Sequence, residues 1–144
     1  MKKISIILFA LLILTGCGKE ETISNVKCTA NDESLANLVE LELEFRNDKL
    51  YFMKQIQTIE HESEAEAIQA ATQLDANSYL NNGQFENIKA YTEVKNNKVL
   101  AITEHSVSKF TQKEKDFILL TADDEETLIK NFKNKGYKCE KVTK

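Results

Sequence analysis

The stretch from Val39 to Phe45 constrains the fold more than any other part of this chain. Val39, Leu41, Leu43 and Phe45 alternate with Glu40, Glu42 and Glu44. Side chains of an extended strand point to opposite faces at each step, so the segment reads as a strand with one apolar face and one acidic face. A helix would scatter the same residues around its circumference. Arg46-Asn47-Asp48-Lys49 supplies turn residues, and Leu50 to Ile59 reads as the returning strand.

A helix is expected next. Ser63-Glu64-Ala65-Glu66 is a capping box, in which the serine and the third-position glutamate satisfy free backbone donors of the first turn. Ala67, Ala71 and Leu74 fall along one face with Ile68 beside them, and Gly83 offers a stop. So many alanines predict a helix lying close to the sheet it covers. The pattern then returns. Phe85 to Val94 reads as a strand, Lys95-Asn96-Asn97-Lys98 as a turn, and Val99 to Val107 as its partner. Lys113 to Leu120 suggests a helical turn or two. Thr121 is read as the cap of another helix, with Leu128, Ile129 and Phe132 on its apolar side and Gly136 at its end. Val26 to Ala30 and Tyr137 to Val142 read as the first and last strands.

Phe45-Arg46-Asn47-Asp48-Lys49-Leu50 and Val94-Lys95-Asn96-Asn97-Lys98-Val99 share one pattern: apolar, basic, two turn residues, lysine, apolar. Each hairpin is followed by a capped helix. The expected fold is α+β: an antiparallel sheet of about five to six strands with two helices packed on one face, as a possible ββα repeat. A duplication and a chance likeness between polar turns both account for the pattern.

The N-terminus carries an address. Met1-Lys2-Lys3 is a short basic start, and Ile4 to Leu14 is almost wholly apolar, in the order of a secretory signal peptide. The apolar run of roughly 11 residues is too short for a spanning helix, which needs about 20. Leu14-Thr15-Gly16-Cys17 then resembles the lipobox of bacterial lipoproteins. That resemblance implies cleavage between Gly16 and Cys17 and lipidation of the Cys17 thiol. Two or three acyl chains hold stably where one holds marginally, at about 0.8 kcal/mol per buried CH₂. The expected organisation is a signal peptide over 1–16, a lipidated N-terminus and spacer over 17–25, and a single domain over 26–144.

With Cys17 assigned to the lipid, Cys28 and Cys139 remain in a chain read as exported. An intramolecular disulfide is the natural reading, and a pair of buried free thiols is the alternative. A bridge would bring the first and last strands together and close a loop of roughly 110 residues, for which the chain-entropy model gives about 4.7 kcal/mol.

Charge narrows the partners. The formal net charge of −4 includes Lys2 and Lys3. Without them the chain is more acidic, and it holds no basic block, so nucleic acid is disfavoured as a partner. The 19 basic residues include a single arginine, Arg46, and proline and tryptophan are absent. This bias reflects an AT-rich coding genome and, with the lipobox, points to a Gram-positive host.

A search for chemistry is largely negative. The two histidines, His61 and His105, each neighbour acids, but they lie in different hairpins and form no H-E-x-x-H pair. No G-x-S-x-G elbow is present, and four glycines leave no phosphate-cradling loop. Asp123-Asp124-Glu125-Glu126 reads as the first turn of a helix, where negative charge suits the dipole. It lacks the ligand spacing of a calcium loop. The Glu40, Glu42 and Glu44 face reads as the solvent side of a sheet, with a cationic partner as the alternative. No cofactor, catalytic residue or metal ligand is assigned.

Taken together, the lipobox, both hairpins, the central helix and the close from Leu128-Ile129-Lys130 through Gly136-Tyr137-Lys138-Cys139 resemble the YehR-like small bacterial lipoproteins. The likeness spans most of the chain after Cys17. It implies an α+β antiparallel fold and a lipoprotein address, and it brings no catalytic residue set. The expected function is a non-catalytic binding or interaction module, lipid-anchored on the extracytoplasmic face of the cell membrane, with an unknown protein or small molecule as partner. The alternatives are an envelope enzyme or metal-dependent hydrolase using His61 or His105, and a purely structural envelope protein.

Overall fold

A computed structural model of the chain describes residues 20–32, 37–77, 84–118 and 122–143. Among the described residues six strands are formed: β1 (Ile23–Asp32), β2 (Asn37–Arg46), β3 (Lys49–Glu60), β4 (Ile88–Lys95), β5 (Lys98–His105) and β6 (Lys138–Lys141). Three α-helices are described, α1 (Glu64–Asn77), α2 (Gln112–Ile118) and α3 (Glu125–Asn134), with a 3-10 turn at Val107–Lys109. The strands make one antiparallel sheet in the order β4-β5-β3-β2-β1-β6. The expected α+β class holds; α1 and α3 form where the two capped helices are expected, and α2 where Lys113 to Leu120 suggests a helical turn or two.

Register assigns every side chain to a face. Val39, Leu41 and Leu43 of β2 lie opposite Ala30, Cys28 and Val26 of β1. Across β3 and β5 the same face continues through Met53, Gln55, Gln57 and Ile59 to His105, Thr103, Ala101 and Val99. Both α1 and α3 pack on this face. Ala67 and Ala71 of α1 meet Val99, Ile59 and Val94, while Leu128 of α3 joins Val26, Cys28, Leu41, Leu43, Phe45, Leu50 and Met53. The alanines let α1 approach closely, as their spacing predicts. Leu74, placed on the same face by its spacing, is nevertheless 41 % exposed.

The other face carries a charge row that crosses all six strands. Lys89, Glu104, Lys54, Glu42, Lys27 and Glu140 stand opposite one another in sequence across the sheet. Opposite charges on facing positions favour this register by about 0.2–1 kcal/mol per pair. Lys54 pairs with Glu104 at 3.7 Å, Lys27 pairs diagonally with Glu40, and Arg46 holds Glu44 at 2.7 Å. The acidic side of β2 is therefore matched from within the molecule.

Several ends differ from expectation for identifiable reasons. β1 begins at Ile23, so residues assigned to the spacer join the sheet; the Thr22 N–H donates to Asn47 Oδ1 at 3.2 Å just ahead of it. β4 begins at Ile88 and not at Phe85. The Asn87 N–H is taken by the Glu114 carboxylate at 2.8 Å, and the Phe85 ring lies 4.6 Å from that of Phe117. β5 stops at His105 because Val107 enters the 3-10 turn. β6 is confined to Lys138–Lys141. Asp124, not Thr121, caps α3, accepting from the Thr127 N–H at 2.9 Å. Thr121 and Gly83 lie outside the described residues.

Other local signals act as read. In α1 the Ser63 hydroxyl accepts from the Glu66 N–H at 3.3 Å; the Glu66 carboxylate in turn accepts from the Glu62 N–H, one residue earlier than a reciprocal box requires. Gly136, at φ +90°, ends α3 in a Schellman arrangement, with the Tyr137 N–H donating to the Phe132 carbonyl at 3.1 Å. Asn47 and Asp48 both have positive φ, as a type I′ hairpin turn requires. Just beyond, Tyr51 is an extra residue, because Phe45 faces Leu50 while Glu44 faces Phe52. This bulge sets the Tyr51 ring 3.6 Å beneath the Arg46 guanidinium.

Both hairpin tips are held the same way. The Asp48 carbonyl accepts from the Glu125 N–H (3.2 Å) at the start of α3, and the Asn97 carbonyl accepts from the His61 N–H (2.8 Å) just ahead of α1. Lys49 pairs with Asp123 at 2.8 Å, and Lys98 with Glu60 at 3.6 Å. Each helix thus starts at the tip of the hairpin it did not follow and packs over that hairpin. Such an exchange is what an approximate two-fold axis between β3 and β5 would produce.

Cys28 and Cys139 are bridged, with Cα atoms 4.0 Å apart. They are closer than the 5.5–6 Å commonest for disulfides because they face each other directly on neighbouring antiparallel strands. The bridge joins the edge strand β6 to β1 and spans 111 residues. The sheet, the helices and the bridge all lie within residues 23–141.

Candidate functional site

Two apolar clusters form on the covered face, one under α1 and one under α3. The sheet between them is polar, since Gln55, Gln57 and Thr103 occupy inward positions of β3 and β5. A cleft of about 260 Å³ opens over this seam. Leu41 and Met53 of the sheet, Ile118 of α2, and Leu128 and Phe132 of α3 give it an apolar lining. Gln55, His105, Asn131, Lys135 and Tyr137 add the polar groups. Of the seam residues Gln55 reaches this cleft, which lies where the apolar cluster under α3 meets the polar strip.

His105 is the unusual member. It is 7 % exposed, its ring stands edge-on to Phe110 with centroids 6.3 Å apart, and its Nδ1 is buried with no hydrogen-bond partner. Burial pushes its pKa down to about 4, so the imidazole is neutral near pH 7. Among the described residues no carboxylate lines the cleft. The imidazole therefore has no acid there to orient it or to stabilise its protonated form.

His61 lies elsewhere. Its backbone is pinned to Asn97, through the N–H bond at the hairpin tip and an Asn97 Nδ2 bond to its carbonyl at 2.8 Å. It therefore stands at the end of β5 opposite His105, eight strand steps from it and so roughly 25 Å away at about 3.4 Å per strand residue. The two histidines do not converge. Among the described residues no three His, Cys, Asp or Glu side chains are placed to hold a metal ion.

One buried acid was missed by the sequence reading. Glu114 is 1 % exposed and accepts four hydrogen bonds: Asn87 N–H (2.8 Å), Asn87 Nδ2 (3.0 Å), Thr111 N–H (2.8 Å) and Thr111 Oγ1 (3.0 Å). Desolvation acts to raise its pKa, but these donors outweigh it and bring the carboxyl down to about 2. The signal was present as Thr111-Gln112-Lys113-Glu114, a second capping box at the start of α2. Its task is structural, tying α2 to the segment that enters β4.

A depression of about 330 Å³ at the end of the open face, beside Phe52 and Val142, is lined by Lys27 and Glu44, which are already paired with Glu40 and Arg46. Two buried ring nitrogens have no hydrogen-bond partner, His105 Nδ1 and His61 Nε2; His105 lines the cleft, whereas His61 lines none of the described cavities, so the cleft is the better candidate. Of the residues assigned from sequence, Cys28 and Cys139 serve the sheet edge, while Gly16 and Cys17 lie outside the described residues. In comparisons with family models, curated proteins and solved structures, the chain matches none.

Proposed function

We propose that this chain is a non-catalytic binding module, tethered through a lipid on Cys17 to the extracytoplasmic face of the membrane, with the cleft over the polar seam as its site. The observation that carries the reading is the cleft's composition. It combines apolar walls with a few convergent polar groups, the usual make-up of a small-molecule pocket, and it contains a buried imidazole whose Nδ1 lacks a partner. The hydrolase alternative needs a histidine beside a carboxylate, and the His105 surroundings offer amides, an ammonium and apolar groups. The lipobox and the likeness to YehR-like lipoproteins support the address. With β1 starting at Ile23, the spacer after Cys17 is short, which keeps the domain close to the lipid surface.

Two measurements test this. A Cys17→Ala chain takes up no labelled palmitate in growing cells, and normal labelling would remove the tether from the proposal. For the site, the chain from Gly18 onward retains every described residue and suits NMR titration with a mixture of small neutral and charged fragments. Shift changes are expected at Gln55, His105, Leu128 and Asn131. A response confined to other surfaces, or none, rejects the cleft as the site.

A further inference from the structure

Resting on the reading of the cleft as a binding site, the polar groups can be sorted by what they select. The side-chain amides of Gln55 and Asn131 and a neutral imidazole each offer both donor and acceptor character. They orient a ligand without choosing its sign. Lys135 is different: among the described lining residues it is the one formal charge, and it takes part in none of the described ion pairs. It follows directly on α3 and is exposed, so it stands at the mouth while Met53 and Leu128 lie deeper and buried. A cationic ligand would meet an ammonium and no described carboxylate. A wholly neutral ligand would leave the charge at the mouth unused.

Size sets the other limit. A volume of about 260 Å³ corresponds to roughly nine water molecules at about 30 Å³ each, which suits a molecule of about ten non-hydrogen atoms. We propose that the cleft takes a small amphiphile bearing one negative charge, its apolar body between Met53, Ile118, Leu128 and Phe132 and its anionic head toward Lys135. A medium-chain carboxylate has this chemistry.

The test compares octanoate, octan-1-ol and octylammonium, each of about ten non-hydrogen atoms, on the chain from Gly18 onward. Methyl NMR at Met53, Ile118 and Leu128 reports where each binds. Octanoate is expected to bind at the cleft about three- to five-fold more tightly than octanol, a rim-charge effect of ordinary size. The preference disappears in Lys135→Gln and passes to octylammonium in Lys135→Glu. Because Lys135 is exposed and outside the core, both variants are expected to keep the fold, which the dispersion of the methyl spectrum checks. Equal binding of the three ligands at the cleft overturns the anion preference and leaves the binding site standing. A preference that survives Lys135→Gln overturns the role of Lys135. No cleft response to any of the three overturns both the preference and the site.

Discussion

Lowering the pH from 7 to 5 is expected to cost this fold about 2 kcal/mol at one side chain, His105. The imidazole is held neutral by burial, with a pKa near 4 against an ordinary value of 6.5. In the unfolded chain it protonates through pH 6.5, whereas in the folded chain it resists until about pH 4. The unfolded state therefore binds more protons between these values, and stability falls as pH falls through that window. Each pH unit inside the window is worth about 1.4 kcal/mol, so the full span amounts to about 3 kcal/mol, of which about 2 is lost by pH 5. Above pH 6.5 and below pH 4 this residue contributes no slope. The assay is urea unfolding of the chain from Gly18 onward, followed by far-UV circular dichroism at pH 7, 6 and 5. His105→Leu, apolar and unable to titrate, is expected to flatten the curve across the window. A midpoint in the parent chain that does not move between pH 7 and 5, or a slope that persists in His105→Leu, would refute the reasoning.

Glu114 acts in a lower window. Its carboxyl falls from 4.5 to about 2 on folding, so its stabilisation is present above pH 4.5 and is lost as pH falls toward 2. At pH 7, Glu114→Gln is expected to cost about 2 kcal/mol in urea unfolding, because the amide NH₂ would face a backbone donor of Asn87 or Thr111. Lys54→Glu sets a carboxylate between Glu42 and Glu104; a loss of about 1 kcal/mol is expected, smaller in 1 M salt, and a salt-independent loss would count against the charge row. Cys28→Ser with Cys139→Ser is expected to lower stability by up to about 4.7 kcal/mol. An unreduced mass showing two free thiols in the parent chain would contradict the bridge. Phe45→Ala, at a fully buried position, is expected to cost about 3–5 kcal/mol by the same unfolding assay.

Much of the scaffold was legible because its causes are local. Alternation from Val39 to Phe45 states which face is buried. Asn47-Asp48 and Asn96-Asn97 mark the tips through residues that tolerate positive φ, and Ser63 and Gly136 punctuate helices through their own hydrogen-bonding and conformational chemistry. The errors fall where a distant partner competes. Phe85 has the composition of a strand residue, but β4 starts three residues later because Glu114, 27 positions on from Asn87, takes the backbone donor. Leu74 has the right helical spacing, yet the surface beneath α1 does not reach it.

By itself, the sequence determined the class of the fold: two hairpins with capped helices after them, an apolar face for those helices to cover, and two cysteines near the ends of the folded region. Only the tertiary structure decided that the hairpins meet through β3 and β5, that each helix covers the opposite hairpin, and that the glutamates of β2 are answered by lysines in a row across the sheet. It also decided the site. Gln55, His105 and Lys135 lie on three separate elements, and no spacing within the chain relates them. Register brings the first two to one face, α3 carries the third to its edge, and the cleft lies between them.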